Sequence, residues 1–322
     1  MQASKPSDPR IVPADADGMA RAVTILREGR PVALPTETVY GLAADASRAD
    51  AVAAIYRTKG RPDFNPLIVH VPDMTSARAI ASFDERAEKL AAAFWPGPLT
   101  LVLPLQEDAG IAPAVTAGLP TIALRCPAHP VMREVLQASG LYLAAPSANR
   151  SGAISPTEAA HVAASLGDGL ELILDGGPCK AGLESTIVAL RNFEDAPSGW
   201  QLLRPGPIDP VAIAALLGEP AIPLADQRIE APGQLASHYA PGKPLRLGAV
   251  SADADEWLIG FGDVAGQDTL SAAGDLAEAA ASLYAALHRA DASDRARIAV
   301  APVPVGGMGD AINDRLKRAA AG

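Results

Sequence analysis

Cysteine is scarce in this chain, with only Cys126 and Cys179 among 322 residues. Two are too few for a disulfide framework or a cysteine metal cluster, so both are expected as reduced, partly buried thiols. Aromatic residues make up only 4%. Basic residues are in deficit too, 27 Lys and Arg against 37 Asp and Glu, for a formal net charge of −10. That balance excludes a generally basic face for nucleic acid and leaves room for a local cationic pocket. No stretch approaches the roughly 20 apolar residues that span a bilayer. The opening "MQASKPSDPR" lacks the apolar centre of a signal peptide. A soluble, cytoplasmic protein is expected, in which the Asn149 sequon carries no glycan.

The common phosphate and catalytic signatures are absent as well. The sequence holds no G-x-x-x-x-G-K-[ST], no G-x-G-x-x-G after a strand, no H-E-x-x-H, no C-x-x-C and no G-x-S-x-G. A nucleotide, if one binds, must be held by another geometry.

What is present is material for a core: 49% hydrophobic residues, rich in Ala, Leu, Val, Gly and Pro, in a length that suits about two domains. "DADGMARAVTILREG" has helical spacing, an Asp able to cap it and Gly29 to stop it. "RPVALP" reads as a buried strand. "SRADAVAAIYRTKG" reads as a helix with Ser47 as N-cap and Gly60 as terminator. "PLIVHV", "LTLVLPL", "TIALR", "LYLAAP", "ELILD" and "STIVAL" read as further strands. Helices are expected at "DERAEKLAAAFWPG" and around 129–139 and 156–166. This alternation predicts an α/β fold with a mixed sheet. Residues 219–244 carry five prolines and no period, which suits an extended linker. Beyond it, "PLRLGAV", "EWLIGF" and "RIAVAPV", with helices near 274–290 and 309–320, predict a second, smaller α/β domain. The expected units are a tail at 1–12, a catalytic domain at 13–212, a linker or lid at 213–242 and a C-terminal domain at 243–322.

Several strands run out into polar residues. "KGRPDFNPLIVH" ends a helix on Lys59 and Arg61 around a glycine, then holds Asn65 between prolines before His70. Cations at a helix end are ordinary dipole partners, and a lone His in an apolar strand is ordinarily a core residue. The Pro-Asp-Phe-Asn-Pro turn adds what those accounts do not explain. "LAAPSANRSGAISPT" offers Ser147, Asn149, Ser151 and Ser155 after a strand, where open α/β sheets bind ligands. In "LPTETVYGLAADAS", Thr36 and Thr38 follow a strand and Tyr40-Gly41 is expected to turn the chain. "TIALRCP" places Arg125 at a strand end, suited to gripping a carboxylate. "LDGGPCKAGLESTIV" is Gly-rich and ends in Glu184-Ser185-Thr186, and "LLRPGP" puts Arg204 at another strand end. Together these exits point to a lined pocket for something anionic.

The motifs "PTETVYGLAADA", "KGRPDFNPLIVHV", "FWPGPLTLVL", "APSANRSGAISPT" and "LDGGPCKAGLESTIV" together resemble the YrdC-like family, and "LLRPGPI" followed by "SHYAPGKPL" resembles its long, two-domain form. The resemblance covers most of residues 20–242. It implies a twisted, open sheet whose concave face holds the substrates. It also implies a nucleotidyltransferase that joins L-threonine, bicarbonate or CO2, and ATP into threonylcarbamoyl-adenylate and pyrophosphate. Mg2+ would be held mainly by ATP. A transferase complex would then carry the group onto tRNA, whose contact with this chain would be weak or indirect.

Carried over residue by residue, Lys59, Arg61, Ser147 and Asn149 match the family's catalytic K-x-R and S-x-N positions. Arg61, Asn65, Thr121, Ser147, Ser155, Arg204 and His238 match the ATP side. Thr38, His70, Arg125, Ala145 and Ser185 match the threonine side. His238 and Tyr239 would close over the site as a lid, positioned by the C-terminal domain. The main alternative is an RNA-binding YrdC-like module without this activity, which the net charge disfavours. A related carbamoyl transferase and a regulatory nucleotide-binding protein are further alternatives.

Overall fold

The computed structural model describes residues 8, 10–191, 199–223, 230–233 and 238–322. Among them one mixed sheet holds ten strands: β1 (Ile11–Pro13), β2 (Val32–Leu34), β3 (Gly41–Asp45), β4 (Ile68–His70), β5 (Leu99–Pro104), β6 (Thr121–Arg125), β7 (Leu143–Ala144), β8 (Ile173–Asp175), β9 (Thr186–Arg191) and β10 (Gly199–Arg204). Their order is β1-β8-β2-β3-β7-β4-β6-β5-β9-β10. Pairing is parallel at β1–β8, β8–β2, β4–β6 and β5–β9, and antiparallel elsewhere. A second sheet, of β11 (Leu245–Leu247), β12 (Glu256–Gly260), β13 (Asp268–Thr269) and β14 (Arg297–Val300), is parallel throughout, in the order β11-β14-β12-β13. The expected mixed α/β sheet with a smaller α/β partner is thus the observed architecture.

Alternation along the strands sorts the two faces of the large sheet. Leu67, Val69, Leu101, Leu103, Ile122 and Leu124 join the main core. Ile68, Val102, Ala123, Ile187 and Ala189 face the other way, into a small cluster closed by Leu203 and by Ala231 of the proline-rich stretch. Any residue in phase with Ala123 or Ile68 near a strand end therefore points to the face that the proline-rich stretch crosses.

Local sequence sets the helix ends. Asp15 accepts the amide of Gly18 to open helix Ala16–Arg27. Gly60, at φ 60°, closes helix Ala49–Lys59 in the left-handed conformation that glycine adopts at least cost. Ser47 does not cap that helix. Its hydroxyl donates to Asp45 (2.7 Å), and Arg48 occupies the cap position without a side-chain bond. Two other expectations change. Ile11 and Val12, expected in the tail, form with Pro13 an edge strand paired with β8. Gly41 opens β3 instead of turning the chain, with Leu34 opposite it.

The expected linker start at 213 falls inside helix Pro210–Leu217, whose Ile213 is buried in the main core. The extended course begins after Gly218. It follows β10, where Trp200 donates to Glu219 O, Ile222 to Trp200 O and Gln201 to Pro223 O. The two sheets share a third core. Val39, Ile154, Leu183 and Tyr239 pack there with Leu283, Leu287 and Ile312 from helices Leu276–Asp291 and Met308–Ala319.

Candidate active site

Strand register gathers the polar exits on one rim. His70 pairs with Arg125 across β4–β6, Leu99 with Thr186 across β5–β9, and Ile187 with Arg204 across β9–β10. His70 and Arg125 are in phase with Ile68 and Ala123, so both face the side crossed by the proline-rich stretch. Around this rim lies a cavity of about 530 Å³, its mouth included. Thr38, Arg61, His70, Arg125, Ala145, Ser147, Ser185, Arg204 and His238, all predicted site residues, line it.

One end is built on Arg125, which is buried. Its Nη1 donates to the Thr38 hydroxyl (2.8 Å) and its Nε to Gly97 O (3.2 Å). Nη2 lies 2.7 Å from Glu37 Oε1. The other Glu37 oxygen accepts the amides of Ala128 and His129. Burial alone would raise the Glu37 pKa; Arg125, and then the amides of Glu37 itself and Ala128, hold it below the usual carboxylate range. His70 is neutral, because burial and the Arg125 cation push its pKa down to about 3. Its Nδ1 is buried with no hydrogen-bond partner, and the residue lines the cavity. Ala145 lines the same end, its amide already given to Ile68 O.

Lys59 and Arg61 play different parts. The Lys59 ammonium is buried and donates to Ser147 O (2.5 Å), Asn149 O (2.6 Å) and Asn149 Oδ1 (3.3 Å). It holds the 147–149 loop and does not line the cavity. This revises the expectation that both cations of the helix end face a phosphate. Burial, with Arg61 nearby, pushes its pKa well below the ordinary lysine value. Asn149 is likewise a support, donating to Arg150 O (3.0 Å) and Ala153 O (2.7 Å). Arg61 does reach the cavity, fixed by Asn65 O (3.3 Å) and Pro66 O (3.0 Å). Burial lowers its pKa to about 10, so it remains cationic at neutral pH. Asn65 presents its carbonyl to Arg61, while its own Oδ1 is buried and unpartnered.

Arg204 builds the second end. Its Nε donates to Ser185 O and its Nη2 to Ser185 Oγ, both at 3.0 Å, and Nη1 donates to Pro232 O (3.3 Å). The Ser185 hydroxyl is also 2.7 Å from that of Thr100. Over these sit Pro232, Gly233, His238 and Tyr239. Gly233, at φ 87°, leaves room that a Cβ would deny, since it would stand 2.9 Å from both Arg204 Cδ and the Tyr239 hydroxyl. Tyr239 is buried at φ 65°, a strained conformation for a bulky residue and one that clusters at functional segments. Burial lowers the His238 pKa to about 3, and its Nδ1 has no partner. Ser237 of the "SHYAP" stretch lies outside the described residues.

Two predicted residues stand apart. Ser155 is fully buried behind the cavity wall, donating to Glu184 Oε1 (2.5 Å). Thr121 shares the Arg125 face but pairs with Pro104 at the opposite end of β6, about 13 Å away by strand rise. It lines a separate cleft with Phe83, Leu103 and Leu190. Sequence reading missed Glu37, Tyr284 and Arg315 as parts of the site. Glu37 had a signal, an acid between two threonines at a strand exit. Arg315 had none, its partner Glu184 being 131 residues distant. Among the described residues no group of three His, Cys, Asp or Glu side chains could hold a metal ion, and no helix is long and apolar enough to cross a membrane. Cys126 and Cys179 are free and buried.

Residues 24–206 match the Sua5/YciO/YrdC family model, described as "Telomere recombination". The chain belongs to the Sua5/YciO/YrdC family. Residues 208–321 match the model described as "Threonylcarbamoyl-AMP synthase, C-terminal domain", which marks the long form of the Sua5 group. The threonylcarbamoyl-AMP synthase of Bacillus subtilis (strain 168) is 41% identical, over 94% of this chain and 93% of its own. That of Pyrococcus abyssi is 37% identical over 92% of each. The crystal structure of P. abyssi Sua5 complexed with L-threonine superposes with a TM-score of 0.87 at 34% identity, over 97% of both chains. E. coli YciO, at 21% identity and a TM-score of 0.51 over 61% of this chain, shares the fold of the larger domain.

Proposed function

We infer that this chain is a threonylcarbamoyl-AMP synthase, a nucleotidyltransferase that joins L-threonine, bicarbonate or CO2, and ATP with release of pyrophosphate. The observation that carries the reading is the cavity on the β4–β6–β9–β10 rim, where three buried arginines converge in a chain of net charge −10. The full-length likeness to named synthases supports it. We assign the Arg125 end, with Thr38, His70, Ala145 and Ser185, to the threonine carboxylate and side chain. Arg61 and Arg204, with Ser147 and His238, take the ATP phosphates. Lys59 and Asn149 hold the Ser147 loop at the reacting centre, and Asn65 aligns Arg61. Ser155 acts from behind the wall. Thr121, at the far end of β6 from the rim, takes no part in this assignment.

The chemistry needs positioning more than covalent help. The unprotonated threonine amine attacks CO2 or bicarbonate and gives a carbamate, with loss of water in the bicarbonate case. A carbamate oxygen then attacks the α-phosphorus, and the α–β bond breaks to release pyrophosphate. Fixed guanidinium groups compensate charge on the phosphates. ATP would enter as its Mg2+ complex. The carboxylates nearest the cavity, Glu37 and Glu184, are already paired with arginines, so the ion would be carried on phosphate oxygens. The reactive mixed anhydride would then pass to a transferase that acts on tRNA. A soluble, cytoplasmic protein fits that role, with the stretch that follows Gly218 and runs to residue 242 including the lid over the site.

The deciding assay is pyrophosphate release from ATP with Mg2+ and bicarbonate, with and without L-threonine, alongside mass detection of the adenylate. Threonine-dependent release with the matching mass establishes the reaction. No release with any amino acid, together with tight salt-dependent tRNA binding, would replace this reading with an RNA-binding one.

A further inference from the structure

Glu184 presents a difficulty for an ATP site. It lines the cavity and is buried, close to Arg204. A free carboxylate there would repel phosphates and compete with them for Arg204, and in a poorly hydrated site that repulsion is strong.

Its neutralising partner comes from the other domain. Arg315, fully buried on helix Met308–Ala319, donates from Nε to Glu184 Oε2 (2.9 Å) and from Nη2 to Glu184 O (3.4 Å). Tyr284, on helix Leu276–Asp291, donates to both carboxylate oxygens (3.1 and 2.9 Å). The Ser155 hydroxyl donates as well (2.5 Å). Burial alone would raise the Glu184 pKa, but Arg315 and then Arg204 hold it down at about 2, so the carboxylate is charged and must be compensated. Arg315 also lies over the Tyr239 ring, 5.4 Å from its centroid, and the neighbouring Arg318 O accepts the His238 amide (3.3 Å).

We propose that Arg315 is a positioning residue for nucleotide binding, supplied by the C-terminal domain. It neutralises Glu184 and turns that carboxylate onto Ser155 and Tyr284, which leaves Arg204 available to phosphate. The small domain thereby controls the affinity of the large domain for anionic nucleotide, without itself touching it. This rests on the reading of the cavity as an ATP site.

The test uses the full chain. Mg·ATP, adenosine and L-threonine are titrated separately into the unaltered protein, Arg315→Gln, Arg315→Lys and Arg315→Gln/Glu184→Gln. Arg315→Gln is expected to weaken ATP about ten-fold, a usual size for coupling between sites, with adenosine and threonine within about two-fold. Removing the uncompensated charge in the double variant should restore ATP affinity. Parallel loss for all three ligands, unchanged ATP affinity, or no restoration by Glu184→Gln would overturn the proposal. Should Arg315→Gln fail to fold, Arg315→Lys decides. It keeps a cation but not the planar fork that holds Glu184 through Nε and Nη2, so a loss of about three-fold for ATP alone is expected, and no loss, or an equal loss for all three ligands, would overturn the proposal. ATP that does not bind the unaltered protein sinks the nucleotide reading and this inference together. ATP that binds equally to every variant sinks the inference alone.

Discussion

Two Glu–Arg pairs flank the same cavity, one with a half-buried carboxylate and one fully buried, and they are built in different ways. Glu37–Arg125 lies within the large domain, where Arg125 is placed by its register opposite His70 and Glu37 by the β2–β3 turn. Glu184–Arg315 joins two domains, and its geometry exists only when helix Met308–Ala319 is docked. The first pair orients an arginine that itself lines the cavity. The second removes a charge that would oppose ligand. One end of the cavity is therefore finished by the sheet alone, while the other requires the C-terminal domain.

The largest effect expected in breaking this comparison is at the sheet-built pair. Arg125→Ala leaves the half-buried Glu37 without its cation and strips the donors from Thr38 and Gly97 O, so about 3 kcal/mol of stability should be lost with threonine binding. Denaturant unfolding and titration of threonine check this, and normal threonine affinity would refute the role of Arg125. Next comes the loop support. Lys59→Met strips the donor from Ser147 O, Asn149 O and Asn149 Oδ1, at a cost on the order of 2 kcal/mol for the orphaned acceptors. Activity should fall with stability, and Lys59→Arg should not restore it, because the cage fits a compact ammonium. A fully active Lys59→Arg enzyme would show that only charge matters there.

Acid should separate the domains' contributions. His161 and His288 stack across the domain contact with centroids 3.9 Å apart, and His288 lies 3.1 Å from Ser155 O. Burial depresses both pKa values to about 4; Arg289 adds to this at His161 and the His161 ring at His288, with the Ser155 carbonyl and then Asp291 opposing at His288. The unfolded rings take up protons that the folded ones refuse. Stability is therefore full above pH 6.5 and falls as pH drops from 6.5 towards 4. His70 and His238, depressed to about 3, add to the same slope. The unfolding temperature at pH 5 should thus lie several degrees below that at pH 7. His161→Phe/His288→Phe should flatten part of the slope, and an unchanged slope would remove the pair from the account. The smallest effect expected is Gly60→Ala. A Cβ there meets nothing within 4 Å, so only the φ of 60° is penalised. A loss of about 1 kcal/mol follows, with threonine affinity unchanged. A larger loss would mean that the Lys59–Arg61 turn tolerates no adjustment.

Much of the large domain was legible because its signals are local. Gly60 stops a helix wherever it is placed, and the apolar runs ending in His70 and Arg125 read as strands because alternation and length are properties of a few neighbours. The polar exits of those strands, with the motif resemblance, named the polar residues that line the cavity, but not its apolar and glycine lining at Val39, Ile68, Pro146, Pro232 and Gly233. Local signals failed where a distant partner decides. Ser47 is a good cap by type, yet Asp45 takes its hydroxyl. Lys59 looks like a phosphate ligand until the 147–149 loop closes on it. Residues 11–13 become a strand only because β8 offers them an edge.

The sequence by itself determined an acidic, two-domain α/β protein with polar strand exits and a proline-rich linker, since composition, period and turn chemistry act over one turn or one strand. Only the tertiary structure decided which cation meets which anion. Glu184 is an ordinary loop acid until Arg315, 131 residues away, arrives through docking of a second domain. The energy of a buried charge depends on what surrounds it in space, and no local pattern records that.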